Sequence, residues 1–404
     1  MENINEDIWI NILKFLPMSD QLSLAQVNVR ISFYVKYQWT LLKSATLTLD
    51  DLEFLDGNEK LMQECLNSWS GSVERLNLPR AQWELLTQWK DYRFPNLRWL
   101  DCYMDYSLEE ADEETLLLTE LFPHLTNLTL NSGTTGRYLW CWTQLKELNL
   151  VGCEYLETEH FKEVFDSLKL TKLTLLYYGY AVNLGEVVLD VTRCSTLEEL
   201  IIDDLHLLGD FLPRLLNLPH FRRLAFNTRD YTKFLLQSVA RLKPLKVQSL
   251  VFNNSFWSSA RVTESILHMT NLRRLVLQED DIESDQLHVI SRKLPKLEEL
   301  HLVEMREEFS PTHLWNCIGL CPMLRVLNLS STKLSYQSVD FSNPHLSNIL
   351  VKLSSPLTLN LHNTGLDPEK IQPTMDYPNL KITFEPIHFE IWSSQNVEID
   401  FHPE

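Results

Sequence analysis

A chain of 404 residues, 44% hydrophobic and 23% charged, has ample apolar material for a core, which excludes disorder over most of its length. Ten scattered glycines form no phosphate-cradling loop, and a formal charge of −19 argues against an extended nucleic-acid surface built on counterion release. Seven cysteines without a C-x-x-C pair read as reduced thiols of cytosol or nucleus, and neither a basic leader nor a run of the ~20 apolar residues a membrane helix needs is present.

Three short helices are predicted over the first forty residues. In the first, Ile8, Ile12 and Leu16 recur at helical spacing, with Asn5 as cap, Glu6 and Asp7 in the first turn and Pro17 as terminator. The second starts from a Ser19 or Asp20 cap and runs through Leu22, Leu24, Ala25 and Val27, and a third apolar stretch carries Phe33, Tyr34, Tyr37 and Trp39. So short a segment cannot bury enough surface to be firmly stable by itself.

The run Ile4-Asn5-Glu6-Asp7-Ile8-Trp9-Ile10-Asn11-Ile12-Leu13-Lys14-Phe15-Leu16-Pro17, with Asp20-Gln21-Leu22-Ser23-Leu24 and Val27-Asn28-Val29-Arg30 after it, resembles an F-box. It departs from the usual F-box pattern at Asn5, Asn28 and Ile31, where Pro, Cys and Trp are common. The resemblance implies docking on a Skp-type adaptor, and through it on cullin and RING subunits, by Ile4, Ile8, Ile12, Leu13, Leu16, Pro17, Leu22, Leu24 and Val27. A small helical cap over the first repeat's open end is the alternative reading of the same residues.

From Val73 onward the pattern L-x-x-L-x-L recurs, leading with Val73, Leu97, Leu125, Leu145, Leu170, Leu197, Phe221, Val247, Leu272, Leu297 and Leu324, at intervals of 20 to 28 residues. Weaker copies flank the series at Leu47-Leu49, Leu359-Leu361 and Leu380. The spacing resembles that of leucine-rich repeats. Each L-x-L reads as a short strand with one buried face, and stacking strand on strand makes one continuous core. Helical segments fill the intervals, for instance Phe161, Phe165 and Leu168 after a Thr158 cap, and Leu287, Ile290 and Leu294 after Ser284. Pro95, Pro123, Pro219, Pro295, Pro322 and Pro378 stand two places before a leading apolar residue, where proline stops the helix. The unit at Leu145 supplies Cys153, and Thr332 and Thr364 take its place in later units. The expected fold class is therefore α/β: a leucine-rich-repeat solenoid, a curved horseshoe with parallel strands on its concave face and helices on the convex face, behind a small all-α F-box. Residues 1–43 are the F-box, 44–385 the solenoid and 386–404 a tail.

Residues between the last two apolar positions of each unit point to the concave side. That column reads polar except from Ile201 through Ala225 and Val251 to Val276, a stripe flanked by Arg223 and Arg274, with His301 next in line. Ile201, Arg223, Val251, Arg274 and Val276 are the candidate substrate-binding residues, since an apolar patch rimmed by charge marks many binding sites. Ordinary strand composition, or cover by the chain's own tail, are the other readings. The acidic run Asp101–Glu120 reads as a solvated insertion loop, with electrostatic steering of a basic substrate as the alternative. In the tail, Ile387, Phe389 and Ile391 alternate, as do Val397, Ile399 and Phe401 beyond Ser393-Ser394-Gln395-Asn396, which suits a hairpin capping the last repeat.

No Walker A, H-E-x-x-H or G-x-S-x-G motif exists, so no catalytic residue, metal or cofactor is expected, and Cys317 and Cys321 read as buried structural thiols. An F-box joined to leucine-rich repeats is similar to the substrate receptors of SCF-type ubiquitin ligases. The resemblance implies a non-catalytic receptor, cytoplasmic or nuclear, holding a protein target of unknown identity, with no nucleic acid or membrane partner. A repeat scaffold or inhibitor without ligase assembly is the alternative.

Overall fold

The computed structural model describes residues 5–104, 111–131, 134–153, 155–176, 190–202, 212–227, 232–253, 260–279, 282, 284–305, 311–337, 339, 341, 345–371, 377–389 and 396–402. Compactness divides the chain within the repeats, into Met1–Leu218 and Pro219–Glu404.

The first unit opens with three helices, α1 (Glu6–Leu13), α2 (Met18–Ala25) and α3 (Val29–Thr40). Asn5 sits at the N-cap of α1 without a side-chain hydrogen bond. The α2 cap is Pro17, two residues before the expected Ser19, because the fixed proline φ suits a helix entry once its own N–H is not needed. Asn28 caps α3 by accepting from the Ile31 N–H. Two further helices, α4 (Leu49–Asp56) and α5 (Glu59–Trp69), follow a first strand, and α4 starts with a reciprocal capping box between Thr48 and Asp51. The strands β1 (Ser44–Thr46), β2 (Arg75–Ala81), β3 (Trp99–Met104), β4 (Asn127–Asn131), β5 (Glu147–Val151), β6 (Lys172–Leu176) and β7 (Glu199–Ile202) pair in parallel and in sequence order. Their leading apolar residues, such as Leu100, Leu128, Leu148 and Leu173, have no solvent exposure. The acidic run is not wholly a loop: Ala111–Leu121 is a helix that buries Leu117, Leu118 and Leu121, a helical spacing masked in sequence by the density of acids.

The second unit carries β8 (Arg223–Asn227), β9 (Val247–Asn253), β10 (Arg274–Gln278), β11 (Glu299–Val303), β12 (Val326–Asn328), β13 (Leu357–Asn360), β14 (Leu380–Thr383) and β15 (Asn396–Phe401). From β9 to β14 neighbours pair in parallel and in order. Repeat geometry shows in the backbone as well. Glu279, Glu304, Ser331 and Asn363 each stand two places after the last apolar residue of their unit's pattern with φ of 53 to 56°, and Gly152 takes the same place in the first unit at 69°. This left-handed turn lets the Glu279, Glu304 and Ser331 N–H groups donate to the Val303, Ser330 and His362 carbonyls of the next repeat. Thr332 acts as the expected substitute for cysteine: its Oγ1 donates to the Leu302 carbonyl at 3.0 Å and accepts from the Met305 N–H.

Helices Thr158–Ser167 and Ser284–Lys293 lie where their periodicity puts them, although Thr158 is the first helical residue and Glu157 the cap. The tail corrects the hairpin expectation. Residues 386–389 form no strand, Ile391 lies outside the described residues, and β15 pairs with neither the tail nor the last repeat. It runs antiparallel between β8 and β9. Val397, Ile399 and Phe401 face the core there, which is the alternation read from the sequence with a partner that no local pattern specifies.

Candidate functional site

The N-terminal helices are held from inside by one polar side chain. Gln21, 4% exposed, donates from Nε2 to the carbonyls of Leu13 (3.1 Å) and Leu16 (2.9 Å), and its Oε1 accepts from the Trp39 indole N–H at 3.0 Å. It thus satisfies the end of α1 and ties it to α3. Around it Leu13, Leu22, Val35 and Trp39 are fully buried. Leu13 and Leu22, expected among the adaptor-binding residues, therefore support the surface from beneath.

Outside this core lies an apolar face. Ile8 is 52% exposed, Ile12 40% and Phe15 87%, a row at i, i+4 and i+7. Leu16 and Leu24 are half-buried, Pro17 and Val27 are exposed, and Ile4 lies outside the described residues. Phe15 was not among the expected site residues, although its spacing from Ile8 was the available signal. Val29 and Phe33 add exposed apolar surface on α3. They border an open groove of about 780 Å³ against α5, where Lys36 and Glu64 pair at 2.8 Å.

In the second unit the proposed stripe keeps its concave register but is not open. Val251 is 9% exposed and Val276 not at all, and Arg223 and Arg274 are engaged by the tail. Arg223 Nη2 lies 2.8 Å from Glu398 Oε2, and the Arg274 guanidinium stands over the Phe389 ring at 5.8 Å. His301, expected to face solvent, is 4% exposed, with the Phe389 ring edge-on at 5.3 Å. Val276 pairs with both Val251 and His301 in the sheet. At Arg223, Arg274 and His301 the tail engages what the repeat pattern exposes. Ile201, in the first unit, is also buried, at 8% exposure, and does not face solvent as expected.

Burial holds the His301 imidazole below its ordinary range against the opposing pull of the Glu299 carboxylate 3.3 Å away. The hydrogen bond from His301 in turn lowers Glu299. Cys317 and Cys321 are buried, which pushes both thiols up to about 11, and among the described residues no His, Cys, Asp and Glu group is arranged to hold a metal. Among the described residues no helix is long and apolar enough to cross a membrane.

Residues 235–365, which span β9 to β13, match the family described as FBD-associated F-box protein At5g56370, LRR repeats. No curated protein matches the chain. The matched segment is about a third of the sequence and lies wholly among the stacked strands described above. Over that segment, then, the repeats are similar to the leucine-rich repeats of F-box-associated proteins.

Proposed function

We propose that the chain is a non-catalytic substrate-recognition subunit of an SCF-type ubiquitin ligase, working in cytoplasm or nucleus. The N-terminal helices dock on a Skp-type adaptor, which joins them to cullin and RING subunits, and the repeats hold the protein to be ubiquitylated. The observation that carries this reading is the exposed row Ile8, Ile12 and Phe15, an apolar face on a segment whose own core is already filled by Leu13, Leu22 and Trp39. The repeat match supports the same pairing of modules. Ubiquitin is transferred by a conjugating enzyme held elsewhere in the assembly, so this chain contributes proximity. Arg223, Val251, Arg274 and Val276 are the proposed target-holding residues of the second unit, and they meet a target once the tail is off. Co-purification of the full chain with a Skp-type adaptor and its cullin tests the reading: a stoichiometric complex supports it, and a chain that stays free of adaptor overturns it.

A further inference from the structure

From Asn396 to Asp400, each residue of β15 stands between two residues 26 positions apart, and Phe401, past a register shift, pairs with Val247 alone. Val397 faces Phe226 and Phe252, Glu398 faces Ala225 and Val251, and Ile399 faces Leu224 and Leu250. Strands that pair directly are offset to within one residue of that amount: Ser249 pairs with Arg274 and Arg274 with Glu299 at 25 residues, and Glu299 with Val326 at 27. Thus β8 and β9 keep the register and chain length of neighbours with nothing between them. Sheet strands lie roughly 4.8 Å apart, so withdrawal of β15 leaves a gap that one lateral step closes. From Arg223 to Asn227 no residue has to slip, and no side chain there changes face.

The approach of the tail to this slot is laid on the surface. The His362 ring meets the Phe384 carbonyl at 2.8 Å, Asn360 donates to the Glu385 carbonyl at 2.9 Å, and Phe389 rests on His301 and Arg274, while residues 385–388 are exposed.

We infer that β15 is an exchangeable insert. In a second state it leaves the sheet with residues 384–389, β8 pairs with β9 in parallel, and the concave face over Val251, Val276 and His301 opens. The first state holds the burial of Val397, Ile399 and Phe401 and the Arg223–Glu398 pair; the second holds a direct ladder, and neither leaves an open edge between β8 and β9. This regulation rests on the reading of the repeats as a target-holding face: the tail then competes with the target, and a target that binds the opened face draws the population toward it.

Hydrogen exchange on the full unmodified chain tests this. The expected result is β15 amides exchanging at least about 100-fold faster than those of β10 to β12 while β8 and β9 keep the protection of β10. Ala225 and Glu398 stand directly opposite, so in the A225C/E398C chain oxidation is expected to remove the excess exchange and reduction to restore it. Exchange of β15 no faster than β10 to β12 overturns the inference, as does loss of protection by β8 and β9 together with β15. The unmodified chain decides the matter should the double variant not fold. Adaptor capture, read separately through residues 5–40, stands or falls without moving this exchange pattern.

Discussion

Arg223 and Glu398, 175 residues apart in sequence, meet at 2.8 Å on adjacent strands, with side chains 26% and 10% exposed. The contact joins the first strand of the second unit to the last strand of the chain. It also puts a carboxylate into a column otherwise lined by Ala225, Val251 and Val276. Arg223 and Asn396 both meet that carboxylate in the sheet.

Replacing Arg223 by Ala is expected to lower the stability of the second unit by about 2 kcal/mol, because it removes the cationic partner of a largely buried carboxylate, which keeps its hydrogen bond from Asn396. Urea titration of the full chain measures this. An unchanged midpoint contradicts the assigned pairing.

Val251→Lys separates a covered stripe from an open one. On an exposed strand position such a change stays within about 0.5 kcal/mol, whereas here it is expected to cost roughly 3 kcal/mol, since a longer, charged side chain must enter a buried site or force the strand out. A thermal melt distinguishes the two.

His301 gives the second unit a pH dependence. Its folded-state pKa lies below the unfolded value, so the unfolded chain takes up a proton first and stability drains as pH falls from about 6.5 toward the folded pKa. Glu299 adds stability that is present above the usual carboxylate range and lost only at more acidic pH. Arg274, and Arg325 through Glu299, are the other charges in the cluster, with Phe389 as the apolar lid. The urea midpoint is expected to drop between pH 7.5 and 5.5, with a smaller drop in His301→Gln. Equal drops contradict this assignment.

Gln21→Ala removes three hydrogen bonds at once and leaves the Trp39 indole and the Leu13 carbonyl without that partner. The expected loss is about 3 kcal/mol within the N-terminal helices. Near-ultraviolet circular dichroism of the Trp39 environment reports it, and a spectrum unchanged from the parent contradicts the role given to Gln21.

The repeats were legible because each leucine position is fixed by a local period and tested again in the next unit; Leu148, Leu173 and Leu200 are buried in register as their spacing requires. Alternation in Val397, Ile399 and Phe401 identified a strand but not its neighbours, since pairing over more than 140 residues leaves no trace in spacing. The same tail also engages Arg223, Arg274 and His301 around the stripe, although Val251 and Val276 lie on the face their register assigns. In the N-terminal helices, periodicity found Ile8 and Ile12 but could not tell the surface Phe15 from the buried Leu13, two residues apart. The distinction comes from how α1 lies on α3, with Gln21 between them.

The measurement that bears most directly on the account is the affinity of a purified Skp-type adaptor for the full chain and for the I12D/F15D variant. Both side chains are exposed and make no part of the helical core, so the variant is expected to keep its circular dichroism spectrum. Adaptor binding is expected to weaken by about 2 kcal/mol or more, roughly 30-fold in Kd, as for the centre of an interface. Binding by the folded variant at the affinity of the parent chain would contradict the assignment of this face to the ligase.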